Sequence, residues 1–155
     1  MTMNLEYLFE PRGVIVTGVS SHPGKFGFVA LHNILSCGYK GRVFAFGREE
    51  ATVLEQKVIT SFDSIPANEA DLMILCTPVG ANEELLRKAS EKGVKAVFCA
   101  AGGYSEIGDE GLKAEKRLVT LAAELDLVLV GPNGQGVVSP PAGLCAQIVA
   151  PYAPK

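Results

Sequence analysis

Short apolar runs alternate along this chain with segments whose apolar residues recur every three or four positions. The runs occupy positions 14–19, 42–46, 72–76, 94–100 and 127–130, and they are rich in Val, Ile, Leu and Phe. Because both faces of such strands are apolar, they predict a parallel sheet that is covered on both sides. Three amphipathic helices are predicted between them, with apolar faces formed by Phe26, Val29, Ala30 and Ile34, by Leu85, Leu86 and Ala89, and by Leu118, Leu121, Ala122 and Leu125. This order predicts an α/β fold with a doubly wound, mostly parallel sheet and helices on both faces.

Two regions have weaker patterns. Between positions 51 and 71 we expect a short strand at 57–60 and one turn of helix around Ser64. Gly38 and Gly93 stand where predicted helices end, the usual place for a glycine cap. The segment 137–155 holds four of the nine prolines and one strand-like run at 146–150. It predicts an edge strand and then a linker, so we expect one domain over 1–150 and, over 151–155, the start of a linker to a downstream domain that this chain lacks.

The composition is that of a globular protein with a single core. Of 155 residues, 48% are hydrophobic and 20% are charged, and the formal net charge is -3. Nucleic acids and anionic membranes favour clustered Lys and Arg, so neither partner is expected. No apolar run is long enough for a signal peptide or a transmembrane helix, and the four cysteines are widely spaced. We therefore expect a cytoplasmic protein without a metal site, in which Cys76 and Cys99 act as small hydrophobic residues.

The strongest chemical signal is the sequence GVIVTGVSSHPGKFG at 13–27, in which a strand leads into a loop of small residues and then into a helix. Such a turn directs backbone N–H groups and a helix N-terminus at an anion, usually a phosphate. It departs from the dinucleotide fingerprint, since Ser20 replaces the second glycine. It also departs from the P-loop, since five residues separate Gly18 from Gly24 and Phe26 follows Lys25. The loop therefore predicts a phosphate-bearing ligand other than a nucleoside triphosphate or ordinary NAD.

Small, turn-forming residues also follow the other strands, at 47–50, 77–80, 101–103 and 131–134. Ligands of parallel sheets bind beyond the carboxyl ends of the strands, where these loops meet. Each loop alone is ordinary turn chemistry, but together with the first loop they favour a long phosphate ligand. No catalytic set is visible, because His32 lies on a predicted helix, His22 lies in the first loop, and Ser20 and Ser21 lack a base.

Four segments resemble one known family: VTGVSSHPGKFG at 16–27, Thr77-Pro78, AGGYSE at 101–106 and GPNGQG at 131–136. They are similar to the N-terminal CoA-binding domain of nucleoside-diphosphate-forming acyl-CoA synthetases, relatives of the succinyl-CoA synthetase α subunit. The resemblance covers nearly the whole chain. It implies a Rossmann-like domain that holds coenzyme A in place of a dinucleotide.

The resemblance also implies a set of CoA contacts. It places the nucleotide end of CoA on the first loop, a basic contact after the second strand, and the rest of the ligand along the later strand ends. The thioester end lies toward the Gly-Pro-Asn loop, where Gly134 stands in place of the cysteine that is common in relatives. The candidate site consists of Gly18, Ser20, Ser21, Gly24, Lys25, Gly27, Arg48, Thr77, Pro78, Ala100, Ala101, Gly102 and Asn133.

By the same resemblance, the parent enzyme is an acid–thiol ligase that converts acyl-CoA, phosphate and ADP or GDP into acid, CoA and nucleoside triphosphate. Its phosphohistidine lies on another domain, so we expect no catalytic residue in this chain and no activity of the chain alone. The implied partners are CoA and downstream ligase and ATP-grasp domains or subunits, and a homo-oligomer stays open. Two alternatives also stay open: an NAD(P)-binding domain, for which Glu49 has a suitable spacing after Gly27, and a free-standing CoA-binding regulator.

Overall fold

The structure, a computed structural model, describes residues 4–149. Within them the strands are β1 (Gly13–Val16), β2 (Arg42–Phe46), β3 (Ala51–Val53), β4 (Gln56–Ile59), β5 (Leu72–Leu75), β6 (Ala96–Cys99), β7 (Val128–Val130), β8 (Gly136–Ser139) and β9 (Leu144–Gln147). The helices are α1 (Glu6–Phe9), α2 (Phe26–Ser36), α3 (Val79–Glu91) and α4 (Asp109–Glu124), with 3-10 turns at Phe62–Ser64, Ser105–Ile107 and Pro140–Ala142. No helix in this part of the chain has the length and apolar character needed to cross a membrane.

Seven strands form one sheet in the order β3-β4-β2-β1-β5-β6-β7, in which every pair except β3 with β4 is parallel. Val14 of β1 lies beside Val43 of β2 on one side and beside Leu72 of β5 on the other. Since the strand order reverses here, the carboxyl ends of β1 and β5 form the switch point at which ligands of such sheets bind. The predicted doubly wound α/β sheet is confirmed, as are the short strand near 57–60 and the helical turn at Ser64.

Each face of the sheet carries its own apolar core. On one face, Ile15 packs in a cluster with Leu86 of α3 and Leu118 of α4. On the other face, Val14 packs in a cluster with Leu31 of α2, and all five of these side chains are fully buried. Because neighbouring residues of a strand point to opposite faces, β1 supplies Val14 to one core and Ile15 to the other. The continuous apolar runs of the sequence are therefore strands buried on both faces.

The predicted glycine caps are present. Gly38 follows α2 and Gly93 follows α3, with φ angles of +88° and +87°. Glycine adopts this left-handed conformation without strain, which ends each helix and turns the chain toward the next strand.

The C-terminal segment differs from the prediction. Its strand-like run does not extend the edge of the main sheet, because β9 pairs antiparallel with β8 in a separate hairpin. The hairpin lies against α2, where the buried side chain of Asn33 donates hydrogen bonds to the carbonyl oxygens of Gln147 and Val149, each at 2.8 Å. The Asn33 amide thus supplies these carbonyl groups with hydrogen-bond partners that a neighbouring strand of the main sheet would otherwise supply. Position 150 and the predicted linker at 151–155 lie outside the described residues.

A buried carboxylate ties the start of β1 to the start of β5. Asp71 is 1% exposed, and its carboxylate accepts hydrogen bonds from the backbone N–H of Arg12 at 2.8 Å, from Nε at 3.0 Å and from Nη2 at 2.7 Å. Burial alone raises the pKa of Asp71, but the hydrogen bonds and charge of Arg12 outweigh burial and bring this pKa below its ordinary value. Asp71 is therefore ionised at neutral pH and holds the two strands together.

We expect this pair to make part of the stability pH-dependent. Because the pKa of Asp71 is lowered in the folded protein, its contribution is complete above the unfolded pKa of ~4 and is lost as the pH falls through the folded value. Thermal unfolding between pH 7 and pH 2 should show a steeper loss of Tm for the wild type than for Asp71→Asn, which starts from a lower Tm. Parallel curves for the two proteins would contradict this assignment.

Candidate functional site

The loops after the parallel strands lie side by side along the carboxyl edge of the sheet. In strand order, this edge carries Arg48 after β2, Gly18 after β1, Thr77 after β5, Gly102 after β6 and Asn133 after β7. At about 4.8 Å between strands, the five loops span about 19 Å. The edge is therefore long enough for an extended ligand.

Two glycines bring the first loop close to its neighbours. Gly18 has a φ of +69°, and a methyl group on it would lie 2.6 Å from the carbonyl oxygen of Cys76. A methyl group on Gly27 would overlap the carbonyl oxygen of Gly18. Only glycine fits both positions, so the start of α2 lies directly on the loop that follows β1.

The N-terminus of α2 has free hydrogen-bond donors. Lys25 is the N-cap residue and its side chain makes no capping bond. The first helical hydrogen bond runs from the N–H of Val29 to the carbonyl oxygen of Lys25 at 3.1 Å, and the N–H groups of Phe26, Gly27 and Phe28 have no acceptor anywhere in residues 4–149. The first turn contains no acidic residue. Free donors and the positive end of the helix dipole together make this end a site for an anion.

The loop before α2 is held by its own side chains. Oγ of Ser20 accepts a hydrogen bond from the N–H of His22 at 3.3 Å, and Nδ1 of His22 accepts one from the N–H of Gly24 at 3.1 Å. His22 therefore shapes the loop, and it has no bond to a serine hydroxyl that would make that serine a nucleophile. The side chains of Ser21 and Lys25 are exposed and make no hydrogen bond or ion pair within the described chain.

Three backbone donors of the loop after β6 are already bonded to carboxylates. The carboxylate of Glu106 accepts hydrogen bonds from the N–H groups of Gly103 and Tyr104, and the carboxylate of Glu115 accepts one from Ser105 at 3.0 Å. Bonds from the N–H groups of Glu106 itself and of Gly103 lower the pKa of Glu106, so this carboxylate stays ionised at neutral pH. Two acidic residues also begin α4. A ligand phosphate therefore finds free donors at α2, whereas the N–H groups of residues 103–105 are already bonded.

Arg48 is close to the first loop. It directly follows Gly47, on which a methyl group would overlap the carbonyl oxygen of Val19. Arg48 is exposed and forms no ion pair with any residue that the structure describes. The guanidinium is thus available to an anionic ligand. The neighbouring Glu49, on which the NAD(P) alternative depends, is exposed as well.

The Gly-Pro-Asn loop packs on the loop after β6. The N–H of Asn133 donates to the carbonyl oxygen of Ala101 at 3.0 Å, and a methyl group on Gly102 would lie 3.5 Å from Oδ1 of Asn133. A methyl group on Gly134 would lie 2.7 Å from Cζ of the buried ring of Phe98. The end of this ring occupies the space of a side chain at position 134, which gives a physical reason for glycine there.

A line of polar side chains runs behind the site. Oγ1 of Thr77 donates to Oδ1 of Asn82 at 2.6 Å, and Nδ2 of Asn82 donates to the hydroxyl oxygen of Tyr104 at 2.9 Å. Oγ1 of Thr17 lies 3.3 Å from that of Thr77 and 3.2 Å from the carbonyl oxygen of Ile74, and it accepts from the N–H of Cys76 at 3.1 Å. Burial raises the pKa of Tyr104 to about 12, so its hydroxyl stays protonated. These contacts join the loops after β1, β5 and β6.

The thiols beneath these loops are unreactive. Burial raises the pKa of Cys76 to about 12 and that of Cys99 to about 11, so neither is a thiolate at neutral pH. Both lie under glycine turns, since methyl groups on Gly18 and Gly131 would each lie 3.4 Å from the Cβ atom of one of them. The expected role as small hydrophobic residues agrees with this geometry. No cluster of three or more His, Cys, Asp or Glu within 4–149 could hold a metal ion.

All of the candidate residues lie on this edge, but they differ in what they can offer a ligand. Gly27, Ala100 and Ala101 are buried, whereas Gly18, Ser20 and Thr77 are half-buried and Ser21, Gly24, Lys25, Arg48, Pro78, Gly102 and Asn133 are exposed. The buried residues support the loops, and the exposed ones are free to contact a ligand. Sequence reasoning did not identify Thr17, Asn82 or Glu106, although a threonine at the end of an apolar strand was a usable signal for the first.

Comparison with known proteins identifies the family of the chain. The family described as "CoA binding domain" matches residues 12–140. The chain is 36% identical over 148 residues to acetate–CoA ligase (ADP-forming) I subunit alpha of Pyrococcus furiosus, an alignment that covers 93% of this chain and 32% of that protein. It is 27% identical over 132 residues to 4-hydroxybutyrate–CoA ligase (ADP-forming) of Nitrosopumilus maritimus, covering 85% and 19%.

Solved structures give the same result. Dinucleotide forming acetyl-coenzyme A synthetase 1 of Ca. Korarchaeum cryptofilum, in complex with phosphate and ADP, matches with a TM-score of 0.87 at 28% identity, covering 95% of this chain and 31% of that one. PH0766 of Pyrococcus horikoshii OT3 matches with a TM-score of 0.87 at 34% identity, covering 95% and 33%. This chain spans about a third of the length of these synthetase relatives or less. Since the family match covers most of the sequence and the fold agrees throughout, the chain belongs to the CoA binding domain family.

Proposed function

We propose that this chain binds CoA along the carboxyl edge of its sheet, with a phosphate of the nucleotide end at the start of α2. One observation carries the proposal: the N–H groups of Phe26, Gly27 and Phe28 are free, and no carboxylate lies in that turn. The N–H groups of Gly103, Tyr104 and Ser105 after β6 are already bonded to carboxylates, so an anion has more free donors at α2 than at these three residues. The family match supports CoA as the molecule that carries this phosphate.

The surrounding charges suit a ligand with several phosphates. Lys25 stands at the N-terminus of α2. The positive end of the helix dipole disfavours a cation there unless an anion binds at the same place. Arg48 is exposed beside the same loop and would pair with the 3′-phosphate of CoA through charge-assisted hydrogen bonds. From there, Ser20, Ser21 and Gly24 hold the pyrophosphate.

The body of CoA then follows the edge across the sheet. Thr77, Pro78 and the segment 100–102 line it, and Asn133 lies toward the thioester end. The order of the strands supports this course, because these residues follow one another from β5 to β7. Exposed Pro78 and Gly102 offer surface to the ligand, while buried Ala100 and Ala101 keep the loop in place.

We further propose that the parent protein is an acid–thiol ligase of the ADP- or GDP-forming type, located in the cytoplasm. The relatives are named as CoA ligases or acetyl-CoA synthetases, and this chain spans about a third of their length or less. Both facts support a role for this domain in positioning CoA. Nucleotide and phosphohistidine chemistry then belongs to downstream ligase and ATP-grasp domains or subunits. The four free cysteines suit a reducing compartment.

Thermal unfolding and calorimetry of the 155-residue chain with CoA and with NAD test the proposal. A ligand bound only to the folded state at ~100 times its dissociation constant adds about 2.7 kcal/mol, which raises the Tm of a protein of this size by about 5–10 °C. CoA should produce this shift and NAD should not. Tight binding of NAD without binding of CoA would overturn the proposal in favour of an NAD(P)-binding domain.

Arg48→Ala should weaken CoA binding by about tenfold or more while leaving dephospho-CoA nearly unaffected, since a hydrogen bond to a charged group contributes about 1.5–3 kcal/mol. Arg87→Ala is the matched control, because Arg87 is also exposed and lies on α3, away from the loops. Calorimetry of the two variants with both ligands measures the difference. An equal loss for CoA and dephospho-CoA would assign Arg48 to another part of the ligand.

A further inference from the structure

We propose that Asn82 fixes the hydroxyl of Thr77 as a hydrogen-bond acceptor, so that Thr77 selects an N–H or O–H donor on the bound ligand. The inference deepens the proposed function and depends on it, because the ligand in question is CoA. Thr77 is half-buried at the carboxyl end of β5, next to the switch point between β1 and β5, and Asn82 is fully buried one turn into α3.

The orientation of the Asn82 amide follows from two distances. The contact between Asn82 and Oγ1 of Thr77 is 2.6 Å, and the contact between Asn82 and the hydroxyl of Tyr104 is 2.9 Å. Hydroxyl-to-oxygen bonds are typically about 2.7–2.8 Å long and amide-to-oxygen bonds about 2.9–3.0 Å. The short contact therefore belongs to Oδ1 and the longer one to Nδ2, which makes Thr77 the donor and Asn82 the acceptor.

Counting protons then determines what Thr77 can offer a ligand. A hydroxyl has one hydrogen and two lone pairs, and Thr77 gives its hydrogen to Asn82. Thr17 lies 3.3 Å away on the other side and has its own hydrogen for Thr77 or for the carbonyl oxygen of Ile74. In either case Thr77 keeps a lone pair and no hydrogen, so it can only accept.

A group that can only accept discriminates among ligands. It disfavours carbonyl and phosphate oxygens and favours N–H and O–H groups, because an acceptor that faces another acceptor in the complex loses its hydrogen bond to water. CoA has three kinds of suitable donor: the exocyclic amine of adenine, the amides of its pantetheine arm, and the hydroxyls of its ribose and of that arm. Each of them can give this position a hydrogen, and the experiment below separates the adenine amine from the others.

The test compares CoA binding by the wild type, Thr77→Val, Thr77→Ser and Tyr104→Phe in the full 155-residue chain. Thr77→Val has nearly the same shape without the acceptor and should weaken CoA about three- to tenfold. Thr77→Ser keeps the hydroxyl and should bind like the wild type. Tyr104→Phe is the matched control, because it also removes one partner of Asn82 and lowers the Tm, yet leaves the Thr77 acceptor intact and should bind CoA within about twofold of the wild type.

Each variant is also titrated with 1,N6-etheno-CoA, in which the adenine has no N–H group. If the loss caused by Thr77→Val disappears with this analogue, the donor is the adenine amine; if the loss persists, the donor is an amide of the pantetheine arm or a hydroxyl. Both results support the inference. Wild-type affinity in Thr77→Val, or an equal loss in Tyr104→Phe, would overturn it while the proposed function stands. Failure of the wild type to bind CoA would overturn both.

Discussion

Gly27→Ala is expected to destabilise the protein by about 2 kcal/mol or more, although alanine is the better helix former by about 1 kcal/mol. Gly27 is buried in the first turn of α2, and a methyl group there would overlap the backbone carbonyl of Gly18. The helix and the loop would have to move apart, and overpacking of this kind costs about 1–3 kcal/mol and occasionally more. Thermal unfolding should give a Tm lower by about 6 °C. CoA affinity should fall too, because the free N–H groups would leave the loop.

Gly80→Ala is the matched control in α3. Gly80 also lies in the first turn of its helix, but a methyl group on it would meet no atom within 4 Å. This substitution should leave stability unchanged or raise it by up to about 1 kcal/mol. The sign of the stability change therefore shows whether close contact or helix propensity dominates at each position. If Gly27→Ala were as stable as Gly80→Ala, the helix start could not lie against the Gly18 loop as the structure has it.

The main sheet was predictable because its strands are buried on both faces. The run 72–76 can be recognised as a strand from its own sequence, because the two cores on opposite faces require apolar residues at every position. The hairpin of β3 and β4 gives no such signal. Its turn places Leu54 and Glu55 at φ angles of +50° and +64°, where sequence reasoning expects Gly or Asn. β8 is four residues long and becomes a strand only because β9 pairs with it.

The candidate site was predictable only where it consists of loops. Glycines and hydroxyl residues after apolar runs mark the edge of a parallel sheet, and strand order then brings those loops together. The polar line behind the loops could not be found in this way. Asn82 looks like any polar residue on an amphipathic helix, and its partner Tyr104 lies 22 positions away across two elements. Tertiary packing alone turns this amide toward the core.

Phe98 and Gly134 show that one substitution can require another. Phe98 lies in β6 and is 2% exposed, and the end of its ring lies beside Gly134, beneath the Gly-Pro-Asn loop. A side chain at position 134 must therefore displace the ring or the loop. In a protein with a smaller residue at 98, the same position is free to carry a side chain. Packing within this chain is then sufficient reason for glycine there, independent of any chemistry at the thioester end.

Gly134→Ala is accordingly expected to cost about 1–3 kcal/mol, and Phe98→Leu to remove most of that cost. Phe98→Leu alone should destabilise by about 1 kcal/mol because it leaves a small cavity. The double variant should be at least about 1 kcal/mol more stable than the sum of the single effects, a coupling that urea denaturation of the four proteins measures. Phe98→Leu combined with Gly80→Ala is the control, since these residues share no contact and their effects should add within about 0.5 kcal/mol. Additive effects of Phe98→Leu and Gly134→Ala would mean that the ring does not occupy the space beside residue 134.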